Sequence, residues 1–222
     1  MDITISPVAL RGSVEVIPSK SQAHRLLICA AFAKEPTDLI CPETNQDIEA
    51  TVECLKNLGA DINRTEIGYH IVPVTAIPNM ATIDCGESGS TLRFMLPIVC
   101  ALGIKATIRM SGRLPYRPLS PLWEELERMG CTLVRPADNT ICTSGKLQPG
   151  EFTIAGNVSS QFITGLLFAA ALLSGESKIN VTGKLESKPY VDMTQQALGL
   201  FGVCTQGFTV SGSYPFVSPS RI

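Results

Sequence analysis

The stretch that decides the fold is SKSQAHR at residues 19–25, because it recurs twice further along the chain. The other copies are ESGSTLR at 87–93 and VSSQFIT at 158–164, and each of the three opens an apolar run. Aligned on their third residues, the copies are 68 and 71 residues apart. A second marker, a glycine that closes a predicted helix, recurs with nearly the same period at Gly59, Gly130 and Gly202. Two markers with one period predict an internal triplication.

Hydrophobic periodicity predicts the same order of elements, βαβαββ, in each copy. The first copy is predicted to have strands at 13–17, 37–40, 60–64 and 69–73 and helices at 21–33 and 46–58. The second has strands at 82–85, 105–110, 132–135 and 140–143 and helices at 90–102 and 119–129. The third has strands at 151–154, 177–182, 203–206 and 208–211 and helices at 160–173 and 191–201. The repeats therefore span about 13–80, 81–146 and 147–213.

The polarity of the helices predicts how they are layered. The first helix of each repeat is apolar nearly all round, as at residues 26–28 and 162–163, and a helix without a polar face belongs inside. The second helices carry charged residues such as Asp47, Glu53 and Lys56, which indicates an outer, amphipathic position. The predicted fold class is α/β (α+β): three βαβαββ repeats whose parallel first helices are buried and whose sheets lie outside.

Composition argues against several classes of protein. The 222-residue chain is 45% hydrophobic, which is ample for a shared core, and its net charge of −2 argues against nucleic-acid binding. No apolar segment is long enough for a membrane span, and the N-terminus lacks the pattern of a signal peptide. The eight cysteines form no CxxC pair, so we expect core thiols in a reducing, cytoplasmic compartment. With only two histidines, we expect no metal site, and we expect no cofactor.

Basic and hydroxyl residues cluster at the predicted starts of the first helices. Three converging helix N-termini would attract an anion through their free N–H groups, but together they contribute only about 1–3 kcal/mol. Formal charges must add to this, and the candidate cations are Lys20, Arg25, Arg93, Arg113, Arg117 and Lys188. Further candidates are the neutral donors Ser21, Ser159 and Ser160, and Gly89, where an anion could approach the backbone. The pattern predicts a site for a small, multiply anionic molecule.

These features also have plainer interpretations. A serine at a helix start is usually a cap. His24 is more often a structural residue than a catalytic one, and Tyr190 beside Pro189 is equally typical of turn packing. Three helix starts in register, each near a basic residue, favour binding over capping alone.

Five motifs, in order along the chain, resemble the 5-enolpyruvylshikimate-3-phosphate synthase family. They are Pro18-Ser19-Lys20-Ser21 with Arg25, Gly86-Glu87-Ser88-Gly89-Ser90 with Arg93, Arg113 with Arg117-Pro118, Val158-Ser159-Ser160-Gln161-Phe162, and Ser187-Lys188-Pro189-Tyr190. The resemblance covers nearly the whole chain. It implies one domain of the inside-out α/β barrel type. It also implies transfer of an enolpyruvyl group from phosphoenolpyruvate to the 5-hydroxyl of shikimate 3-phosphate, with release of phosphate, in the biosynthesis of aromatic amino acids.

The resemblance further implies a role for each matching residue. Lys20 would position phosphoenolpyruvate electrostatically, Gly89 and Arg117 would face the same substrate, and Gln161 would lie between the two substrates. The resemblance implies that shikimate 3-phosphate is held by Ser21, Arg25, Ser159, Ser160, Ser187 and Tyr190. Its phosphate would lie at the two adjacent serines, Ser159 and Ser160. Arg93, Arg113 and Lys188 are further candidates for binding.

Members of that family have two domains of this kind with the active site between them, whereas this chain carries the motifs of one. We expect an N-terminal portion, in which residues 1–12 associate with the other domain and residues 214–222 form the interdomain linker. The acid and base groups that the reaction needs are expected in that other domain. We therefore predict that this chain is monomeric and that it has no turnover by itself.

Three alternatives stay open at the level of sequence. The first is a non-catalytic phosphate-binding module, and the second is a purely structural helix–sheet protein. The third is an enolpyruvyl transferase that acts on a nucleotide sugar. That family has Lys-Asn where this chain has Lys20-Ser21, and it has a loop cysteine that residues 113–117 lack.

Overall fold

The structure, a computed structural model, describes residues 3–4, 6–9, 11–14, 16–212 and 216–222. The first repeat contains α1 (Lys20–Ala31), β1 (Thr37–Ile40), α2 (Gln46–Asn57), β2 (Asp61–Arg64) and β3 (Gly68–Val72). The second contains β4 (Met80–Asp84), α3 (Gly89–Leu102), β5 (Lys105–Arg109), α4 (Leu122–Arg128), β6 (Cys131–Ala137) and β7 (Thr140–Gly145). The third contains β8 (Glu151–Ala155), α5 (Ser160–Leu172), β9 (Glu176–Thr182), α6 (Lys188–Leu200), β10 (Thr205–Gln206) and β11 (Thr209–Ser211). The predicted triplication is confirmed.

Each repeat builds its own sheet; the first has three strands in the order β1-β3-β2, and the other two have four strands in one common order. The second sheet runs β4-β5-β7-β6, and the third runs β8-β9-β11-β10. In both sheets the first two strands are parallel and the remaining pairs are antiparallel. A parallel pair needs a crossover connection, which α3 and α5 supply. The βαβαββ unit is thus confirmed in these two repeats.

The first repeat departs from this plan, and the strand predicted at 13–17 is wrong. The described residues there have no strand conformation, and Val16 is 87% exposed. The place beside β1 is taken instead by the last residues described. The Asp38 N–H donates to the carbonyl of Ser220, and the Ile222 N–H donates to the carbonyl of Asp38. Apolar alternation indicates a strand, but it does not determine which segment of the chain pairs with β1 at the edge of the sheet.

The end of the chain packs on the domain wherever it is described. Residues 214 and 215 of the predicted linker lie outside the described residues. Phe216 is buried, and its carbonyl accepts the N–H of Lys34. The hydroxyls of Thr37 and Ser218 lie 2.8 Å apart. Residues 216–222 therefore complete the first sheet of this domain.

Helices α1, α3 and α5 form the centre of the core, as predicted from their lack of a polar face. Most of their residues are buried. Helices α3 and α5 cross at Gly165, where a Cβ atom would collide with the carbonyl oxygen of Arg93 and lie 3.0 Å from Cγ of Pro97. A glycine costs about 1 kcal/mol relative to alanine inside a helix. The close approach of two backbones accounts for the glycine at this position.

Helices α2 and α6 are amphipathic, as predicted, and each packs against two central helices. Helix α2 contacts α1 and α3, and α6 contacts α1 and α5. Helix α2 buries Ile48, Val52 and Leu55 and exposes Glu53 and Lys56. Helix α4 packs against β6 and β8. The second helices thus cover the core with one face and meet solvent with the other.

The structure also shows the state of the cysteines and the lengths of the helices. All eight cysteines are free, and six of them are buried. Cys29 and Cys100 lie inside central helices, which confirms that these thiols act as small hydrophobic core residues. No helix in the described part of the chain combines the length and hydropathy that a membrane crossing requires.

Candidate functional site

The three central helices all begin with a serine cap. Each cap accepts a backbone N–H of the first turn, as Ser19 does from Gln22, Ser88 from Thr91 and Ser159 from Gln161. The plainer interpretation, capping, is therefore correct for these three serines. In each repeat a serine of the first helical turn, namely Ser21, Ser90 or Ser160, lines one shared opening.

That opening is a cavity of about 420 Å³ lined by residues of the first, second and third repeats. The lining residues, which include eight of the predicted site residues, are Lys20, Ser21, Arg25, Ser90, Phe94, Val158, Ser159, Ser160, Gln161, Ser187 and Tyr190. Two of them are cations, and none is a carboxylate. A pocket that offers hydroxyl and amide groups with two positive charges suits a small anion that carries many oxygens.

Arg25 is the most deeply buried cation at this cavity. It is 2% exposed, and its guanidinium lies 5.2 Å from the ring centroid of Phe94. Burial lowers the pKa of Arg25 to about 10, with smaller raising effects from Tyr190 and Cys29, so it remains charged at neutral pH. It therefore supplies a permanent positive potential to the floor of the site.

The hydrogen bonds of Arg25 are directed mainly at the protein. Nε donates to Thr194 Oγ1 at 2.8 Å, and Nη2 donates to Thr164 Oγ1 at 3.2 Å and to the carbonyl of Tyr190 at 3.0 Å. Nη1 donates to the carbonyl of Ser21. With four of its five N–H groups engaged, Arg25 cannot grip a ligand with two prongs while these bonds persist. It joins the first repeat to the third and keeps one N–H for a ligand.

Lys20, at the mouth of the cavity, is paired with Asp47, a partly exposed residue in the first turn of α2. Lys20 Nζ lies 2.6 Å from Oδ2 of Asp47. Burial would raise the pKa of Asp47, but hydrogen bonds from Lys20 and Ser88 outweigh it and lower that pKa. The pair forms because the first turn of α2 abuts the start of α1. A second cavity, of about 700 Å³, adjoins this pair.

A second cationic group lies around Gly89, where α3 begins. A Cβ atom at Gly89 would lie 2.6 Å from Nη1 of Arg117 and 2.8 Å from Nη1 of Arg93. Two guanidinium groups therefore border one small space that glycine leaves open. Burial and, second, the charge of Arg117 lower the pKa of Arg93 to about 10. Neither arginine has an acidic partner within the described residues.

Gln161 connects the Gly89 group to the cavity of about 420 Å³. Its Oε1 accepts from Nη1 of Arg93 at 2.8 Å, and its Nε2 donates to Oγ of Ser90 at 2.8 Å. The Arg93 Nε is buried without a hydrogen-bond partner in the described structure. Like charges held together without a counter-ion, and a buried donor left unused, mark a place for an anion. The arrangement offers two anionic subsites with Gln161 between them.

Ser187 reaches the cavity through a strained backbone. Its backbone angles are φ 55° and ψ 33°. They lie in the left-handed region, which residues other than glycine, asparagine and aspartate seldom adopt. Ser187 precedes α6 without making a side-chain cap. Strain of this kind persists where surrounding structure imposes it and is common at binding sites.

Two of the predicted candidates, Arg113 and Lys188, belong neither to the cavity lining nor to the group around Gly89. The Arg113 backbone N–H donates to Oε1 of Glu87 at 3.0 Å, ahead of a short 3-10 turn. Lys188 Nζ contacts both carboxylate oxygens of Asp192 at 2.7 Å, and its side chain is 65% exposed. The ion pair one helical turn apart holds Lys188 along the surface of α6, so its predicted place in the site is not supported.

Sequence reasoning missed four residues that take part in the site. Ser90 and Phe94 stand directly beside the predicted Gly89 and Arg93, but a hydroxyl in a helix and a core phenylalanine carry no signal of their own. Val158 precedes the two predicted serines. Asp47 is 27 residues from Lys20 in sequence, so only the packing of α2 on α1 reveals their contact.

The fold and the site together define a threefold α/β domain with anion subsites where buried helices begin. The chain belongs to the EPSP synthase family: the family model described as EPSP synthase (3-phosphoshikimate 1-carboxyvinyltransferase) matches residues 5–214. This confirms the family resemblance on which the sequence-based activity and fold type were predicted.

Individual relatives agree with the family match. A protein of Clostridium kluyveri named 3-phosphoshikimate 1-carboxyvinyltransferase is 40% identical over 210 residues, which are 92% of this chain and 49% of the relative. One of the same name from Clostridium perfringens strain SM101 is 41% identical over 204 residues, 90% of this chain and 48% of the relative. The chain spans about half the length of the curated relatives it matches.

A solved structure supports the fold. The EPSP synthase of Acinetobacter baumannii superposes with a TM-score of 0.78 at 21% sequence identity. The match covers 95% of this chain and 49% of that chain. At this identity the likeness establishes the fold alone, and the fold is of the predicted type.

Proposed function

We propose that this chain forms the shikimate 3-phosphate half of an enolpyruvyl transferase. The complete enzyme would transfer the enolpyruvyl group of phosphoenolpyruvate to the 5-hydroxyl of shikimate 3-phosphate and release phosphate. The observation that carries the proposal is the pair of anion subsites joined by Gln161, which matches two anionic substrates that must meet. Membership of the family and the names of the relatives support the choice of substrates.

The cavity of about 420 Å³ suits shikimate 3-phosphate. Ser159 and Ser160 at the start of α5 would hold the phosphate, where backbone N–H groups and the helix dipole favour negative charge. Ser21, Ser187 and Tyr190 would contact the ring and its hydroxyls around the buried charge of Arg25. The site thereby offers a phosphate end and a polyol end in one pocket.

The space over Gly89 suits phosphoenolpyruvate. Arg93 and Arg117 would neutralise its charges, and Lys20 would reach it from the other side once released from, or shared with, Asp47. Positive charge around the phosphate lowers the cost of the phosphate leaving the tetrahedral addition product. Bound in this way, the two substrates would be held next to each other at Gln161.

The proton transfers of the reaction need groups that the cavity does not offer. One proton must be added to the methylene carbon of phosphoenolpyruvate, and the attacking hydroxyl must lose one. The cavity lining contains no carboxylate, and Asp47 is engaged with Lys20. We propose that a second domain, corresponding to the half of the relatives that this chain does not match, supplies the acid and base. The chain alone would then be a monomeric, cytoplasmic binding domain. Its eight free thiols fit a reducing compartment such as the cytoplasm.

Isothermal titration of the chain with shikimate 3-phosphate, shikimate and inorganic phosphate tests this function. We expect shikimate 3-phosphate to bind more tightly than either of the others, because only it fills both ends of the cavity of about 420 Å³. Ser160→Ala should weaken its binding about fivefold, the effect of one lost hydrogen bond. Ser174→Ala, at the exposed opposite end of α5, is the matched control and should have no effect.

Two results would contradict the proposal. Equal affinity for shikimate 3-phosphate and free phosphate would favour a generic anion-binding module. Steady-state phosphate release by the purified chain, given both substrates, would show that no second domain is required.

A further inference from the structure

A chain of buried polar groups runs from α1 through α2 to the start of α3. His24 Nδ1 lies 2.7 Å from Thr51 Oγ1, and Thr51 Oγ1 lies 2.8 Å from Thr91 Oγ1. The Thr91 hydroxyl lies 2.8 Å from Ser88 Oγ. The Thr91 hydroxyl also lies 3.4 Å from the backbone carbonyl of Asp47, in the first turn of α2. All of these residues except Asp47 are at most 3% exposed, so water does not interrupt the chain.

The acceptors around Thr91 fix the direction of the other bonds. Each hydroxyl has a single hydrogen to donate, and that of Thr91 is directed at Ser88 Oγ or at the carbonyl of Asp47. The Thr51 hydrogen therefore points at Thr91. Thr51 has then no hydrogen left for His24, so the ring must donate to it. The imidazole consequently carries its proton on Nδ1.

The other side of the His24 ring offers no competing hydrogen-bond partner. Its Nε2 is buried and unpaired in the described structure, and the ring meets Phe94 edge-on at a centroid distance of 6.2 Å. Because Nε2 lacks a partner in either tautomer, the bond between Nδ1 and Thr51 decides where the proton lies. Burial lowers the pKa of His24 to about 4; Asp47 opposes this, while the facing charges of Lys20 and Arg25 assist it. The ring is therefore neutral at pH 7, with one proton to place.

We propose that His24 is a positioning residue that acts on Lys20 through the hydroxyls of Thr51 and Thr91 and through Asp47. The inference rests on the proposed function only in giving Lys20 a substrate to contact. Bonds that all point one way strengthen one another, and these bonds fix the first turn of α2, whose Asp47 carboxylate holds the Lys20 ammonium at 2.6 Å. In this account His24 never touches a substrate.

The tautomer of His24 is the first readout, and nitrogen-15 NMR on the chain without substrate measures it. We expect Nδ1 to be the protonated nitrogen in the parent and in Thr51→Ser, which keeps the hydroxyl. In Thr51→Val, which has the same shape without the hydroxyl, the preference for Nδ1 should be lost. A proton on Nε2 in the parent would overturn the proposal.

The Lys20 ammonium is the second readout, observed by its proton–nitrogen NMR signal at low temperature. The signal should persist in the parent, in Thr51→Ser and in His24→Asn, whose side-chain amide can donate in place of Nδ1. It should be lost to exchange with water in Thr51→Val, and Thr51→Ala serves if the valine variant does not fold. An unchanged Lys20 signal in a folded variant without the hydroxyl would contradict the positioning role. Because no substrate is present, failure of enolpyruvyl transfer would leave both readouts intact.

Discussion

Replacing Gly165 by alanine is expected to destabilise the domain by about 3 kcal/mol, at the upper end of the usual cost of overpacking. The added Cβ would collide with the carbonyl oxygen of Arg93 and lie 3.0 Å from Cγ of Pro97. Both atoms belong to α3, one of them to its backbone, so neither can turn aside. The two central helices would have to separate, and the buried face between them would lose its close packing.

Urea denaturation followed by circular dichroism measures this effect, and the chain offers a control of opposite sign. Gly199 lies in α6, is exposed, and has open space where a Cβ would be added. Gly199→Ala should therefore stabilise the domain by up to about 1 kcal/mol, the difference in helix propensity. If Gly165→Ala were as stable as the parent, the direct contact of α3 with α5 would be wrong.

Arg25→Met is expected to lower both stability and affinity, because Arg25 joins two repeats and also charges the cavity. The buried oxygens of Thr164, Thr194 and Tyr190 would each lose a donor. Partial pairing between the two threonines at 2.8 Å limits the damage, and we expect a loss of about 2 kcal/mol of unfolding free energy. Binding of shikimate 3-phosphate should weaken by about tenfold or more, as expected for a lost bond to a charged group.

Denaturation and titration calorimetry together check this prediction. Lys105→Met removes one positive charge from an exposed position at the start of β5 and is the charge-matched control. It should change neither quantity measurably, since an isolated surface charge contributes little. If Arg25→Met bound shikimate 3-phosphate as tightly as the parent, the anion would not lie over Arg25.

The repeat architecture could be predicted from sequence because the signals that begin and end each helix lie within a few residues of one another. The glycines that close the second helices and the capped starts of the first helices depend on residues a few positions apart. The boundaries of β1 were predicted to the residue at 37–40. Contacts between repeats were less accessible, since a hydrogen bond such as that of Arg25 to Thr194 spans 169 residues.

The wrong strand at residues 13–17 and two ion pairs that were not predicted have the same origin. Residues 13–17 alternate as a strand does, but residues 220–222 hold the edge of β1. Asp47 has the character of a surface charge, yet it meets Lys20 because two helices begin side by side. Lys188 stands within a motif of the site, but the neighbouring Asp192 on the same helix face holds it. In each case the residue type was informative and the partner was decided by tertiary packing.

The central claim is that three repeats bring the starts of their buried helices to one anion site. The most direct test is a backbone amide NMR titration of this chain with shikimate 3-phosphate. The account predicts that the same titration shifts the amides of Ser21, Ser90 and Ser160, one from each repeat, with a single affinity. Shifts confined to one repeat, or absent from all three while another surface responds, would contradict it.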